Sequence, residues 1–144
     1  MEKFGTSMLY YWLGYAIVTA IGILHTIFNI YVLHMKSMKE SSGMGEAYEK
    51  TKPWHVLYNI TVFPLFSYFY FSTFNIVTFQ NVVITSVLWG TITVIFDLFG
   101  WVMIKHPWSL SCQEFYVDYQ PWISLIYLVI YISPLIGYGF MFIK

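Results

Sequence analysis

Apolar residues dominate four segments of the chain, and most charged residues lie between them. These segments run from about residue 8 to 33, 56 to 76, 82 to 104 and 122 to 143. Each is long enough to cross a hydrocarbon core as a helix of about 20 residues. Open strands would leave backbone groups unpaired in lipid, and the alternation of a barrel strand is absent. The sequence therefore predicts an all-α membrane protein, a four-transmembrane-helix bundle forming a single integral membrane domain over residues 1–144.

Lysine positions predict how the bundle is oriented. The connections 34–55 and 105–121 lie on one side of the membrane, and the short second connection and both termini lie on the other. The first side holds Lys36, Lys39, Lys50, Lys52 and Lys105, and the second holds Lys3 and Lys144. Because basic residues favour cytoplasmic loops, 34–55 and 105–121 are expected in the cytoplasm, with both termini on the non-cytoplasmic side. The chain start lacks the features of a cleaved signal peptide, so the first span is expected to be retained.

The composition supports this fold class. Hydrophobic residues make up 58% of the 144 residues and charged residues only 10%, whereas soluble domains are about 25% charged. A sizeable soluble domain is excluded, and no basic patch is present that would recruit nucleic acid. We expect an integral protein of a bacterial plasma membrane.

Small residues and prolines indicate where the helices pack. Pairs of small residues four apart allow helices to approach closely, and two pairs predict such contacts, Ala16 with Ala20 and Ser86 with Gly90. Pro64 and Pro134 are expected to kink the second and fourth spans. Such kinks are common in ordinary bundles and do not by themselves indicate a cavity.

Asp97 is the most informative residue, because it lies inside the apolar third segment. A carboxylate in a bilayer core is costly and is a functional-site hypothesis by default. Counting helical rise from the inner ends places Asp97 about 12 Å deep and His25 of the first segment about 13 Å deep. His25 is therefore the predicted partner of Asp97. The alternative is that such a pair only holds two helices in register.

Further polar residues fall toward the cytoplasmic ends of the first three segments. Asn29 lies one helical turn beyond His25, and His55 and Asn59 form a similar pair in the second segment. Trp101 lies one turn beyond Asp97. These residues predict a polar crevice open to the cytoplasm, although the asparagines could equally be bonds between helices.

The last cytoplasmic connection is aromatic and has a helix-start signal. Ser111 and Glu114 fit the S-x-x-E capping box, which predicts a short helix ending near Tyr119. His106, Glu114 and Asp118 are the candidate residues of a lid over the crevice. The alternative interpretation is an interfacial aromatic belt with solvated acids.

The function that fits this layout best is binding or transport of a small amphiphile, such as a membrane lipid, in the crevice. One alternative is a non-catalytic accessory or immunity-type subunit that contacts a larger membrane protein or self-associates. Another is a membrane enzyme or haem protein that uses intramembrane His and Asp, with His55 and His106 as the better haem pair. No hydrolase, phosphate-loop or metal-site spacing is present, so no metal is predicted, and catalysis and cofactors stay open.

Overall fold

Four long α-helices make up most of the structure, a computed structural model that describes residues 2–38, 40, 44–106 and 108–143. They are α1 (Glu2–Tyr31), α2 (Glu46–Ser72), α3 (Phe79–Asp97) and α4 (Trp122–Phe140). Two π-helical segments follow α3, at Leu98–Met103 and Glu114–Asp118. No strand occurs in these ranges, so the all-α prediction is confirmed for the described residues. Lys39 and Lys144 of the lysine count lie outside them.

Three of these helices are long and apolar enough to cross a membrane. They are Phe4–Tyr31, Phe79–Met103 and Trp122–Phe140. Large apolar side chains on their outer faces are exposed, including Leu9, Val87 and Leu128. Continuous apolar outer surface is typical of contact with lipid. By length and composition, these three helices are typical of an integral membrane protein.

The second helix, α2, differs from its predicted bounds. It begins at Glu46, inside the connection predicted over residues 34–55, and ends at Ser72. Its first turns are packed rather than solvated, since Ala47, Thr51 and Lys52 are buried. The rest of α2 has no charged residue, and its hydropathy is lowered below that of the three apolar helices by His55, Asn59, Pro64 and several tyrosines.

The tightest helix contact lies where α2 crosses α4. The Ser67 hydroxyl lies 3.0 Å from the Ser133 carbonyl oxygen and 2.8 Å from that of Pro64. A Cβ at Gly137 would overlap the Ser67 hydroxyl. Pro64 and Pro134 are both fully buried at this crossing. The crossing therefore depends on small residues and proline rather than on apolar bulk.

Helices α1 and α3 are joined by a ladder of side-chain hydrogen bonds. Every bond joins residues 82 positions apart, at Ser7–Trp89, Tyr11–Thr93 and Tyr15–Asp97. A constant difference that recurs every four residues means that the two helices run parallel, in one fixed register. We call these six residues the α1–α3 ladder. Its last rung contains Asp97.

The small-residue pairs behave differently from each other. Gly90 lies against the Tyr131 ring of α4, so closely that a Cβ would overlap the ring. Ala16 and Ala20 are exposed instead, so they do not pack helices together within this chain. The pair on α3 thus marks a helix contact, and the pair on α1 does not.

Candidate functional site

Asp97 is buried at the end of α3 among hydroxyl groups. It is 6% exposed, and the Tyr15 hydroxyl donates to its Oδ1 at 2.6 Å. The Tyr127 hydroxyl of α4 is buried close to the same carboxylate, without the geometry of a regular hydrogen bond. None of the carboxylate's partners in the described chain is a cation. Its neighbours are therefore neutral donors rather than counter-ions.

The helix changes its winding directly after Asp97. Leu98–Met103 is π-helical, and π-helical turns are rare and frequent at functional sites. In this winding the Trp101 indole N–H donates to the Tyr15 oxygen at 3.2 Å. Tyr15 therefore bridges Asp97 and Trp101, the two residues that the sequence places one turn apart.

His25 lies in a shallow groove between α1 and α2. Its Nδ1 is 2.6 Å from the Tyr58 hydroxyl, and its ring meets that of Trp54 at a centroid distance of 5.7 Å. The groove is widely open at the surface, and its other lining residues are Ile21, Leu24 and Phe28. Within the described chain, His25 Nε2 makes no hydrogen bond. A half-buried imidazole thus presents one nitrogen at an apolar groove.

The structure does not join His25 to Asp97, because each has another partner. Asp97 pairs with Tyr15, which lies ten residues before His25 on α1. Ten residues correspond to about 15 Å of helical rise. The depth prediction was wrong because it counted from the ends of the apolar segments. The α1–α3 ladder sets a register in which α1 extends well beyond the last turn of α3.

His55 is packed inside the bundle rather than at an interface. Its Nδ1 makes a short hydrogen bond with the Tyr119 hydroxyl. Its Nε2 is buried without a partner among the described residues, and it faces Gly22 so closely that a Cβ there would lie 2.6 Å away. Burial raises the pKa of Tyr119 well above its usual value. Tyr119 therefore stays a neutral hydroxyl and can donate to His55.

The two asparagines make bonds that fix helices. Asn29 is 2% exposed and donates to the Ala47 carbonyl and the Thr51 hydroxyl, both at 3.1 Å. Asn59 donates to the His55 carbonyl one turn earlier, at 2.7 Å. Asn29 thus joins α1 to α2, whereas Asn59 bonds within α2. Neither amide lines the groove at His25.

The three candidate lid residues have structural partners. His106 Nε2 lies 2.9 Å from the Gly100 carbonyl, and its Nδ1 accepts from the Trp108 amide at 3.2 Å. His106 therefore binds a carbonyl of the first π-helical segment near its end. Asp118 is exposed, and its carboxylate accepts from the Gln113 amide at 3.3 Å. These residues hold the loop's own shape.

Glu114 forms the predicted capping box with Ser111. The Ser111 amide donates to Glu114 Oε2 at 2.7 Å, and the Glu114 amide donates to the Ser111 hydroxyl at 3.2 Å. This prediction is confirmed, although the segment Glu114–Asp118 is π-helical. The bond from the Ser111 amide holds the pKa of Glu114 below its usual value.

Loss of this capping box should loosen the loop without unfolding the bundle. Because folding lowers the pKa of Glu114, its contribution to stability is fully present at pH values above its pKa in the unfolded state. This contribution is lost as the pH falls through its pKa in the folded state. For Glu114→Ala we expect amide exchange over residues 111–118 to rise about threefold, since an exposed cap contributes less than 1 kcal/mol. Exchange measured at neutral and acid pH tests this. Because intrinsic amide exchange slows as pH falls, protection factors are compared: in the unchanged protein acid should lower them toward the variant's level, and equal protection factors in both proteins at neutral pH would contradict the prediction.

Sequence reasoning missed Lys52, a buried cation where α2 contacts the last loop. It is 2% exposed, and its Nζ donates to Glu49 at 2.7 Å and to the Asp118 carbonyl at 3.1 Å. It also lies 5.2 Å from the centre of the Tyr119 ring. A lysine three residues after a glutamate on one helix was the available signal. It was counted only for orientation.

Groups of three or more His, Cys, Asp or Glu that could hold a metal do not occur in the described residues. His55 and His106, the candidate haem pair, are bonded to Tyr119 and to the Gly100 carbonyl respectively. Both would have to give up those partners to bind iron.

No family model, curated protein or solved structure matches this chain. Its chemistry must therefore be argued from its own residues. Two arrangements stand out: an apolar groove with a histidine–tyrosine pair, and a buried carboxyl among tyrosines. The groove offers apolar walls and one imidazole nitrogen without a partner in the described chain, whereas the buried carboxyl has neutral hydroxyl groups around it.

Proposed function

We propose that the protein binds or transports a small amphiphile, such as a membrane lipid, in the groove between α1 and α2. The observation that carries this is the groove itself, with apolar walls and a single polar pair, His25 and Tyr58. Ligand sites are mostly apolar with few, well-placed polar groups. Because Tyr58 occupies His25 Nδ1, Nε2 is the atom that would bond the headgroup.

The proposed site is smaller than the crevice expected from the sequence. Asp97 and Trp101 belong to the α1–α3 ladder and its extension, and Asn29 bonds α2. His25 alone of the candidate residues lines the groove. We place it in the cytoplasmic half of a bacterial plasma membrane, with both termini outside and α2 as a fourth span.

Filling the groove should abolish binding. Leu24 lines it and is 64% exposed, whereas Leu13, on the same helix, is 45% exposed and lies outside it. We expect Leu24→Trp to lower photocrosslinking of a diazirine-bearing fatty acid to the purified protein at least tenfold, a loss of about 1.4 kcal/mol in binding. Leu13→Trp is the matched control and should leave crosslinking unchanged.

Mapping the crosslinked peptides locates the site. Adducts should fall on α1 near Leu24 and on α2 near Trp54, and excess unlabelled fatty acid should compete for them. Adducts spread over all the lipid-facing surfaces, or equal yields in both variants, would overturn the proposal.

A further inference from the structure

Asp97 is a buried titratable group that the proposed function does not use. We infer that the Asp97 carboxyl is a proton-binding site inside the bundle, built so that both its ionised and its protonated forms find hydrogen-bond partners. The proton passes between this carboxyl and water, and no other bond forms or breaks. This inference does not rest on the amphiphile site.

The ionised form has donors in place. The Tyr15 hydroxyl donates to Oδ1 at 2.6 Å, and the Trp101 N–H donates in turn to the Tyr15 oxygen at 3.2 Å. Hydrogen bonds to an ionised acceptor are the strong ones. A charge at Asp97 is therefore stabilised by neutral donors, although it is 6% exposed.

The protonated form also has a partner. The Tyr127 hydroxyl is buried near the carboxyl and has no regular hydrogen bond in the described chain. A protonated Oδ2 can donate to the Tyr127 oxygen while Tyr15 still donates to Oδ1. When the carboxyl ionises, the Tyr127 hydroxyl can turn and donate instead. A small shift of the Tyr127 ring into regular geometry, together with rotation of its hydroxyl, pairs this buried group in either form.

Among the described residues, the titratable side chains that interact electrostatically with Asp97 are tyrosines. The groups that feel its charge belong to α1, α2, α4 and the last loop, and they are Tyr11, Tyr15, Tyr48, Tyr116, Tyr119 and Tyr127. A buried carboxylate without a counter-ion is costly in free energy, so the protonated form of Asp97 competes with the ionised form.

The same geometry argues against a metal ion as the occupant. A cation needs several oxygen atoms with free lone pairs. The Tyr15 hydroxyl donates its proton toward Asp97 and accepts from Trp101. Its hydrogen thus lies where a cation would have to lie.

Infrared spectroscopy of the purified protein tests the proton site. The chain has two aspartates, Asp97 and Asp118, and Asp118 is exposed. In protein labelled with ¹³C-carboxyl aspartate and carrying Asp118→Asn, every labelled aspartate signal belongs to Asp97 at its unaltered site. We expect a protonated-carboxyl band that disappears as pH rises. A band present at every pH, or at none, would overturn the inference.

Three variants locate the titration. Asp97→Asn should lose the band. Tyr15→Phe should raise the midpoint by about one pH unit or more, because the ionised form loses its donor. Tyr131→Phe is the matched control on α4, since its hydroxyl bonds Thr91, and it should leave the midpoint unchanged. A midpoint that follows the concentration of Na⁺ or K⁺ at constant ionic strength would overturn the inference in favour of a cation site.

Discussion

Gly137→Ala should lower the free energy of unfolding by about 3 kcal/mol, because an added methyl group has no room at the crossing of α2 and α4. Its Cβ would overlap the Ser67 hydroxyl and lie 2.6 Å from the Pro64 carbonyl oxygen and 2.8 Å from the Tyr68 amide nitrogen. Two of these three atoms belong to the backbone of α2. Relief therefore requires the helices to separate, and a change of side-chain rotamer would not suffice.

Gly139→Ala is the matched control on the same helix. Nothing lies within 4 Å of a Cβ placed at Gly139. Alanine is a better helix former than glycine by up to about 1 kcal/mol, so this variant should be neutral or slightly stabilised. Both are measured by thermal or denaturant unfolding in one mild detergent. If the two variants unfolded alike, the close crossing would be wrong.

A second substitution, Ser67→Gly, separates the overlap with the Ser67 side chain from the overlap with the backbone of α2. Ser67→Gly removes the hydroxyl that the Cβ added by Gly137→Ala would overlap, but it leaves the Pro64 carbonyl in place. In the Gly137→Ala background it should therefore recover only part of the loss. Complete recovery would mean that the backbone of α2 yields easily.

The positions of α1, α3 and α4 could be predicted from the sequence, because hydrophobic length is a local property, whereas the start of α2 at Glu46 could not. The predicted segment 82–104 corresponds to α3 and the π-helical turns up to Met103. The Ser111–Glu114 capping box is equally local, and its reciprocal bonds are present. Both features depend on a few consecutive residues.

The partner of Asp97 could not be predicted, because helix register is not local. Depth counted from segment ends assumes that both helices end at the same level. The register is set instead by rungs such as Ser7–Trp89, far from the ends from which depth was counted. Tyr15 lies in a segment rich in aromatic residues, so nothing in its neighbourhood distinguishes it as the donor. A search for side chains that recur every four residues on both helices could have found the ladder.

The closest helix contact was missed for a related reason. Ser133 and Gly137 are small residues four apart that lie at the crossing, whereas Ala16 and Ala20 fit the same motif and are exposed. A small residue permits close approach but does not say which face of its helix is turned inward. That face follows from all four helices together, so the spacing alone could not rank one pair above the other.

Trp89→Ala should be the other large destabilisation, about 3 kcal/mol or more, because Trp89 is fully buried at the centre of the bundle. Its ring packs against Tyr11 and Phe63, each at a centroid distance of 6.0 Å. Its indole N–H donates to the Ser7 hydroxyl at 3.0 Å. In detergent or lipid, the apolar surface that unfolding exposes stays out of water. Most of the expected loss in unfolding free energy therefore comes from van der Waals contacts that are left unmade around the cavity created by Trp89→Ala.

Trp12→Ala is the control, since Trp12 is 39% exposed and packs on Phe96 at a centroid distance of 4.8 Å. Lipid or detergent can refill its space, so we expect less than half the loss found for Trp89→Ala. Trp89→Phe keeps most of the ring but removes the indole donor to the Ser7 hydroxyl, and in a Ser7→Ala background the loss caused by this change should be smaller by about 1 kcal/mol. A positive coupling free energy in that double-mutant cycle would establish the Ser7–Trp89 rung of the α1–α3 ladder. Equal losses for Trp89→Ala and Trp12→Ala would place Trp89 at the lipid surface, and the parallel register that brings Tyr15 to Asp97 would then be wrong.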